Sequence, residues 1–127
     1  MHARPQRILI VDDNRDSADS LATAFVVLGH EAVATYGGRE GLGRLAEVRP
    51  SLIVLDLSMP EMDGYTLARA IRALPGYATV PMVALSGFGS EADRVKSHEA
   101  GFNRHMLKPF DLADLERMLE LIPEPAP

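Results

Sequence analysis

The chain has 127 residues, enough to bury one sizeable core and too few for two. Its 46% hydrophobic content is that of an ordinary globular protein, and the absence of cysteine excludes disulfides and any thiolate metal site. A net charge of −5 argues against a general nucleic-acid or membrane surface, and no run approaches the ~18 uninterrupted apolar residues of a membrane span. The opening MHARPQR is basic with no apolar region before the first strand, so no signal peptide is expected. A cytoplasmic location fits the cysteine-free composition.

Apolar runs alternate with helical periodicity five times along the chain. RILIV (7–11) reads as a strand, followed by a helix over 14–28 with Leu21, Phe25 and Leu28 on one face and Gly29 as its stop. EAVATY (31–36) is a weaker, alternating strand of the kind found at a sheet edge. Leu42, Leu45 and Val48 mark a second helix, weakened by Gly38, Gly41 and Gly43. SLIVLD (51–56) is a strand buried on both faces. A third helix carries Leu67, Ile71 and Leu74 and closes at Pro75-Gly76.

VPMVAL (80–85) is the fourth strand. The segment 90–100 is polar, with Val95 its one large aliphatic residue, and predicts a thinly anchored helix. RHML (104–107) is a short fifth strand. Leu112, Leu115, Leu119 and Ile122 form the stripe of a last helix capped by Asp111. Strict alternation implies an α/β fold, a doubly wound (βα)5 parallel sheet with helices on both faces and right-handed crossovers. A single domain over 1–122 is expected, with 123–127 a Pro-rich tail or the start of a linker.

In open α/β sheets, ligands sit beyond the carboxyl ends of the strands, near the point where strand order reverses. Asp12 and Asp13 follow the first strand, Asp56 closes the third, Ser86 follows the fourth and Lys108 the fifth. A lone acid after a strand is ordinary loop chemistry, but four of five strands here deliver polar groups to one rim. Three converging carboxylates repel one another, and a hard divalent cation relieves that repulsion; Mg2+ takes a few carboxylates and completes its shell with water, carbonyl and substrate oxygens. A nearby lysine binds phosphoryl oxygens, a serine hydroxyl donates to another, and a free carboxylate can attack phosphorus to form an acyl phosphate.

ILIVDDN, LIVLDLSMPEMDGY, VPMVALSG and AGFNRHMLKPFD resemble, in order and spacing, the receiver domain of two-component response regulators over about residues 6–122. The resemblance implies a flavodoxin-like sheet of order 2-1-3-4-5 and Asp56 as phosphoacceptor. Asp13 would ligate Mg2+ directly and Asp12 through water, with Asp56 and the backbone carbonyl of Ser58 completing the protein's share; Mn2+ is a plausible substitute. It implies that Lys108 pairs with the phosphoryl group across a cis Lys108-Pro109 bond, that Pro60 and Gly64 shape the loop after Asp56, and that Ser86 is the hydroxyl switch. The family's aromatic switch position on the fifth strand, usually Tyr or Phe, matches His105. The GFxxHxxKP form resembles receivers of hybrid histidine kinases, hence a phosphorelay.

The partners so implied are a histidine kinase or histidine phosphotransfer protein and a downstream protein target. A homodimer through helix four, strand five and helix five is a further expectation, with neither nucleic acid nor membrane as partner. The chain is expected to be a signalling domain rather than an enzyme, assisting only its own phosphorylation and dephosphorylation. A phosphorylation-independent interaction module is the alternative, and it requires a broken acid pocket. A haloacid-dehalogenase-like phosphohydrolase would need an acid where Ser58 stands. His2, His30 and His98 lack metal-ligand spacing and read as surface residues. Met82, Met106 and Met118 read as core and Gly87-Phe88-Gly89 as a loop; the resemblance implies that Phe88, with Ser58, stands at positions that influence phosphoryl lifetime.

Overall fold

A computed structural model describes residues 4–87 and 91–124. The expectations for His2, Phe88, Gly89 and the last three residues of the tail fall outside these. The elements are β1 (Arg7–Val11), α1 (Arg15–Val27), β2 (Glu31–Thr35), α2 (Gly38–Val48), β3 (Leu52–Asp56), α3 (Gly64–Ala73), β4 (Met82–Ser86), α4 (Glu91–Ala100), β5 (Arg104–Leu107) and α5 (Leu112–Glu120). All strand pairs are parallel and the order is β2-β1-β3-β4-β5, as expected.

The order follows from hydrophobicity. Every residue of β3 and β4 is buried, which suits strands covered by helices on both faces. Edge strands β2 and β5 mix buried, half-buried and exposed positions. Alternation along β1 then divides the core. Leu9 and Val11 point into a layer with Leu45, Leu67 and Ile71 of α2 and α3, joined by Phe102. Ile8 and Ile10 point the other way, onto Leu21 and Phe25 of α1 and Leu115 and Met118 of α5. Met82, Met106 and Met118 are all core residues.

Three helices start where a side chain replaces the missing backbone acceptor. Asn14 Oδ1 accepts from Ser17 N at 3.0 Å, Asp63 Oδ1 from Thr66 N at 2.8 Å, and Asp111 and Asp114 form a reciprocal capping box. The Thr66 amide also holds the Asp63 carboxyl below its usual pKa. Gly29, at φ 96°, ends α1 as expected.

Several expectations need correction. Strand β4 begins at Met82 rather than residue 80, because Asn103 Oδ1 takes the Met82 N–H at 2.8 Å while the Pro81 carbonyl still accepts from Ile53. Strand β3 likewise starts at Leu52, and β2 stops at Thr35, where the Tyr36 N–H turns to Glu40. Leu112 is 56% exposed and Leu74 is also exposed; Met118 instead completes the buried stripe of α5. Val95 does not anchor α4, being 52% exposed; the helix is seated through Ser97 and Ala100. His30 is half-buried, and its Nδ1 accepts from Gln6 N at 2.9 Å, so it is no free surface residue. His98 is exposed, as expected.

Candidate functional site

The strand order reverses between β1 and β3, and the residues singled out from sequence gather at the carboxyl ends of those strands and their neighbours. Backbone hydrogen bonds extend the ladders one step beyond the strands and fix these residues in place. Asp12 N donates to Thr35 O at 3.1 Å, Leu57 N to Leu85 O at 3.0 Å, and Lys108 N to Ser86 O at 2.9 Å. One carboxylate oxygen from each of Asp12, Asp13 and Asp56 lies within 4.8 Å of the others. Asp12 is 1% exposed and Asp56 is buried, whereas Asp13 faces solvent.

The Asp12 side chain is oriented by Asn14 N, which donates to Oδ1 at 3.0 Å, and by Lys108 Nζ, 2.9 Å from Oδ2. The same ammonium stands 3.8 Å from Asp56 Oδ1, which also accepts from Ser58 N at 3.4 Å. These donors do not offset the site's negative charge. Burial first, and the Asp12 charge second, push Asp56 up to about 6, against the opposing pull of Lys108 and the Ser58 amide.

Two like charges ~4 Å apart in partly screened surroundings repel by about 4 kcal/mol, so three carboxylates carry three such repulsions against one lysine. The pocket is thus two charges short of neutrality, with oxygen donors only. That donor set fits Mg2+, a hard divalent ion that keeps part of its water shell.

The loop after Asp56 is shaped by steric necessity. A Cβ on Gly64 would lie 2.5 Å from the Asp56 carbonyl oxygen and 2.8 Å from Leu57 Cα, so only glycine fits where α3 begins. Within that loop Glu61 takes φ 67°, the left-handed region that L-residues other than Asn and Asp rarely occupy. The Lys108-Pro109 bond is cis.

Ser86 Oγ is 2.6 Å from His105 Nε2, and His105 Nδ1 is 3.2 Å from Ser97 Oγ on α4. The structure therefore joins Ser86 to His105, the two residues that the resemblance to receiver domains matched to switch positions. Ser97 escaped the sequence reading: a serine in a polar helix carries no signal beyond its three-residue spacing from Ala100. Arg72 escaped as well. Its guanidinium donates to the carbonyls of Gly101, Tyr77 and Val80 and to Asn103 Oδ1, at 2.6–3.0 Å, tying α3 to the approaches of β4 and β5.

The family model for the response regulator receiver domain matches residues 8–120. The chain belongs to that family. Receiver domains are signalling domains of two-component systems with a general phosphoacceptor role. The transcriptional regulatory protein PrrA of Mycobacterium leprae is 40% identical over 109 residues, which are 86% of this chain and 46% of that protein; the receiver domain thus spans about half the length of this relative. The chemotaxis protein CheY4 of Vibrio cholerae shares the fold, with a TM-score of 0.88 over 94% of this chain and 99% of that one at 24% identity. The receiver domain of a sensor histidine kinase from Pseudomonas aeruginosa PAO1 is 30% identical, with a TM-score of 0.83 over 93% of this chain and 97% of its own. Its structure has a magnesium ion coordinated in the active-site cleft. Among the described residues no helix is long and apolar enough to cross a membrane.

Proposed function

We propose that this receiver domain takes a phosphoryl group onto Asp56 from a phosphohistidine of a histidine kinase or phosphotransfer protein, in the cytoplasm, and passes the change to a downstream protein. One observation carries the reading: Asp12, Asp13 and Asp56 each bring a carboxylate oxygen within 4.8 Å of the others, with the Lys108 ammonium beside Asp12 and Asp56. An interaction-only module has no use for so costly a cluster of charge.

In the proposed reaction an Asp56 carboxylate oxygen attacks phosphorus, the P–N bond to the donor imidazole breaks with its electron pair staying on nitrogen, and the ring, already protonated on its other nitrogen, leaves as neutral imidazole. The product is an acyl phosphate. Asp13, Asp12, Asp56 and the Ser58 carbonyl are the groups that would hold Mg2+, or Mn2+ in its place. The ion, when bound, neutralises the carboxylates and draws charge from the phosphoryl oxygens. Lys108 pairs with a phosphoryl oxygen, its Asp12 contact keeping it beside the acceptor, and Ser86 donates its hydroxyl hydrogen to another.

The shift of Ser86 and His105 biases α4, whose one large aliphatic residue, Val95, is exposed, in a two-state equilibrium. The output surface would then be the groove of about 640 Å3 whose lining includes Arg94, Arg104, Met106, Leu107 and Arg117, occupied by the downstream protein or by a second copy of the chain. The single domain over 1–122 and a phosphorelay setting belong to the same proposal.

Intact-mass spectrometry after incubation with acetyl phosphate tests it. A single phosphoryl adduct that needs Mg2+ and disappears in Asp56→Asn supports the reading. An adduct that persists in the variant, or a chain that neither binds Mg2+ nor accepts phosphoryl from any donor, returns the interaction-only module to first place.

A further inference from the structure

His105 sits opposite Ala84 in the β4–β5 register, which leaves it diagonal to Ser86. Each of its ring nitrogens faces a serine hydroxyl: Nε2 that of Ser86 at 2.6 Å, Nδ1 that of Ser97 at 3.2 Å. Ser97 is 2% exposed on a helix whose largest aliphatic residue points to solvent. A neutral imidazole has one donor and one acceptor, while a hydroxyl serves as either, so two arrangements satisfy this row. In one, Nε2–H donates to Ser86 and Nδ1 accepts from the Ser97 hydroxyl. In the other, Ser86 donates to Nε2 and Nδ1–H donates to Ser97, whose hydrogen is then free for a helical carbonyl, as serines in helices commonly arrange.

We propose that Ser97 is a positioning residue that holds the far side of His105, so that the ring's tautomer carries the hydrogen-bond state of Ser86 to α4. The trigger rests on the proposed chemistry at Asp56. Once the Ser86 hydroxyl gives its hydrogen to a phosphoryl oxygen, it can only accept from Nε2–H. Nδ1 must then accept, and Ser97 turns its hydrogen to the ring. No proton leaves the site; one moves between the two ring nitrogens, and each hydroxyl keeps its own.

The test is the nitrogen chemical shifts of the His105 ring, labelled with 15N and measured at alkaline pH, where imidazole is neutral. Beryllium fluoride with Mg2+ serves as the phosphoryl analogue, and its binding is followed separately by 19F resonance. In the wild type the analogue shifts the ring toward the Nε2–H form by about fivefold, the change that one hydrogen bond of ordinary strength makes in an equilibrium. Ser97→Ala takes away the partner of Nδ1 in both arrangements, and a buried N–H left without an acceptor costs more than a bare lone pair, so the ring already favours Nε2–H before the analogue is added, and the amides of α4 cease to respond to it. Ser97→Thr keeps the hydroxyl and restores both responses.

A tautomer ratio equal in Ser97→Ala and wild type overturns the relay, whether or not the analogue binds. So does bound analogue with an unchanged wild-type ring. If the fluorine signal shows no binding, the reading of Asp56 has failed, and the comparison of Ser97→Ala with wild type still decides the relay.

Discussion

Lys108 stands closer to Asp12 than to Asp56, with Nζ 2.9 Å from Asp12 Oδ2 and 3.8 Å from Asp56 Oδ1. The residue that would stabilise the phosphoryl group is thus held beside the acceptor by a neighbouring acid. Lys108→Met removes the cation from an almost fully buried carboxylate, and breaking such a pair costs about 2–3 kcal/mol once the partial exposure of the lysine is discounted. With one positive charge fewer in the pocket, Mg2+ should recover more stability in the variant than in the wild type. Thermal melts across a Mg2+ titration check this; an equal or smaller metal-induced shift contradicts it.

The raised Asp56 carboxyl makes stability depend on pH in a known direction. Its folded value of about 6 lies above the ordinary 3.8, so the folded state holds the proton more tightly. The associated stability is present below about 4, is lost as pH rises through about 6, and leaves a constant cost above. Asp56→Asn should therefore gain on the order of 2 kcal/mol over wild type at pH 7 in metal-free buffer, and much less at pH 4. Protons also compete with the metal, so stabilisation by Mg2+ should shrink as pH falls below 6. Urea denaturation at several pH values, with and without Mg2+, measures both trends.

Two glycines should respond to alanine with opposite signs. Gly64→Ala places a methyl 2.5 Å from the Asp56 carbonyl oxygen and 2.8 Å from Leu57 Cα, backbone atoms that cannot step aside. About 2–3 kcal/mol of destabilisation and slower phosphoryl uptake are expected, because the end of β3 must shift. Gly43, exposed inside α2, has nothing within 4 Å of its added Cβ, and Gly43→Ala should stabilise by about 0.5–1 kcal/mol. Paired chemical denaturation curves settle the sign at each site.

Arg72 makes an extensive polar junction outside the acid pocket, with five hydrogen bonds from its guanidinium. Arg72→Met leaves the carbonyls of Gly101, Tyr77 and Val80 and Asn103 Oδ1 without their shared donor, and about 3 kcal/mol of destabilisation is expected. Arg72→Lys should recover under half, since one ammonium cannot reach acceptors set around a planar fork. A lysine variant as stable as wild type would show that the charge, rather than the fork, matters.

The acid pocket was legible because topology turns strand ends into a place. Once LIVLD is read as a strand buried on both faces, Asp56 must stand at the rim with Asp12, Asp13, Ser86 and Lys108. The relation of Lys108 to Asp12 was not legible, since it depends on where two loops 96 residues apart come to rest. The start of β4 was missed because Asn103, from another loop, takes the Met82 N–H. Leu112 was misread because it lies at the rim of a stripe centred on Leu115, Met118 and Ile122, and periodicity alone does not say which margin faces water. Arg72 and Ser97 are polar residues on helices, and only the packed structure supplies their partners.

The hold on Gly101 has a mechanical consequence. Two guanidinium N–H groups of Arg72 grip that carbonyl, at 2.7 and 3.0 Å, just beyond the last turn of α4, while Val95 along its body is open to water. The helix resembles a lever clamped at one end. Under the proposed switch, a small push where His105 meets Ser97 would tilt the helix about that clamp rather than slide the whole rod, and the Lys96 ammonium, 4.4 Å from the centroid of the Tyr65 ring of α3, would report the tilt.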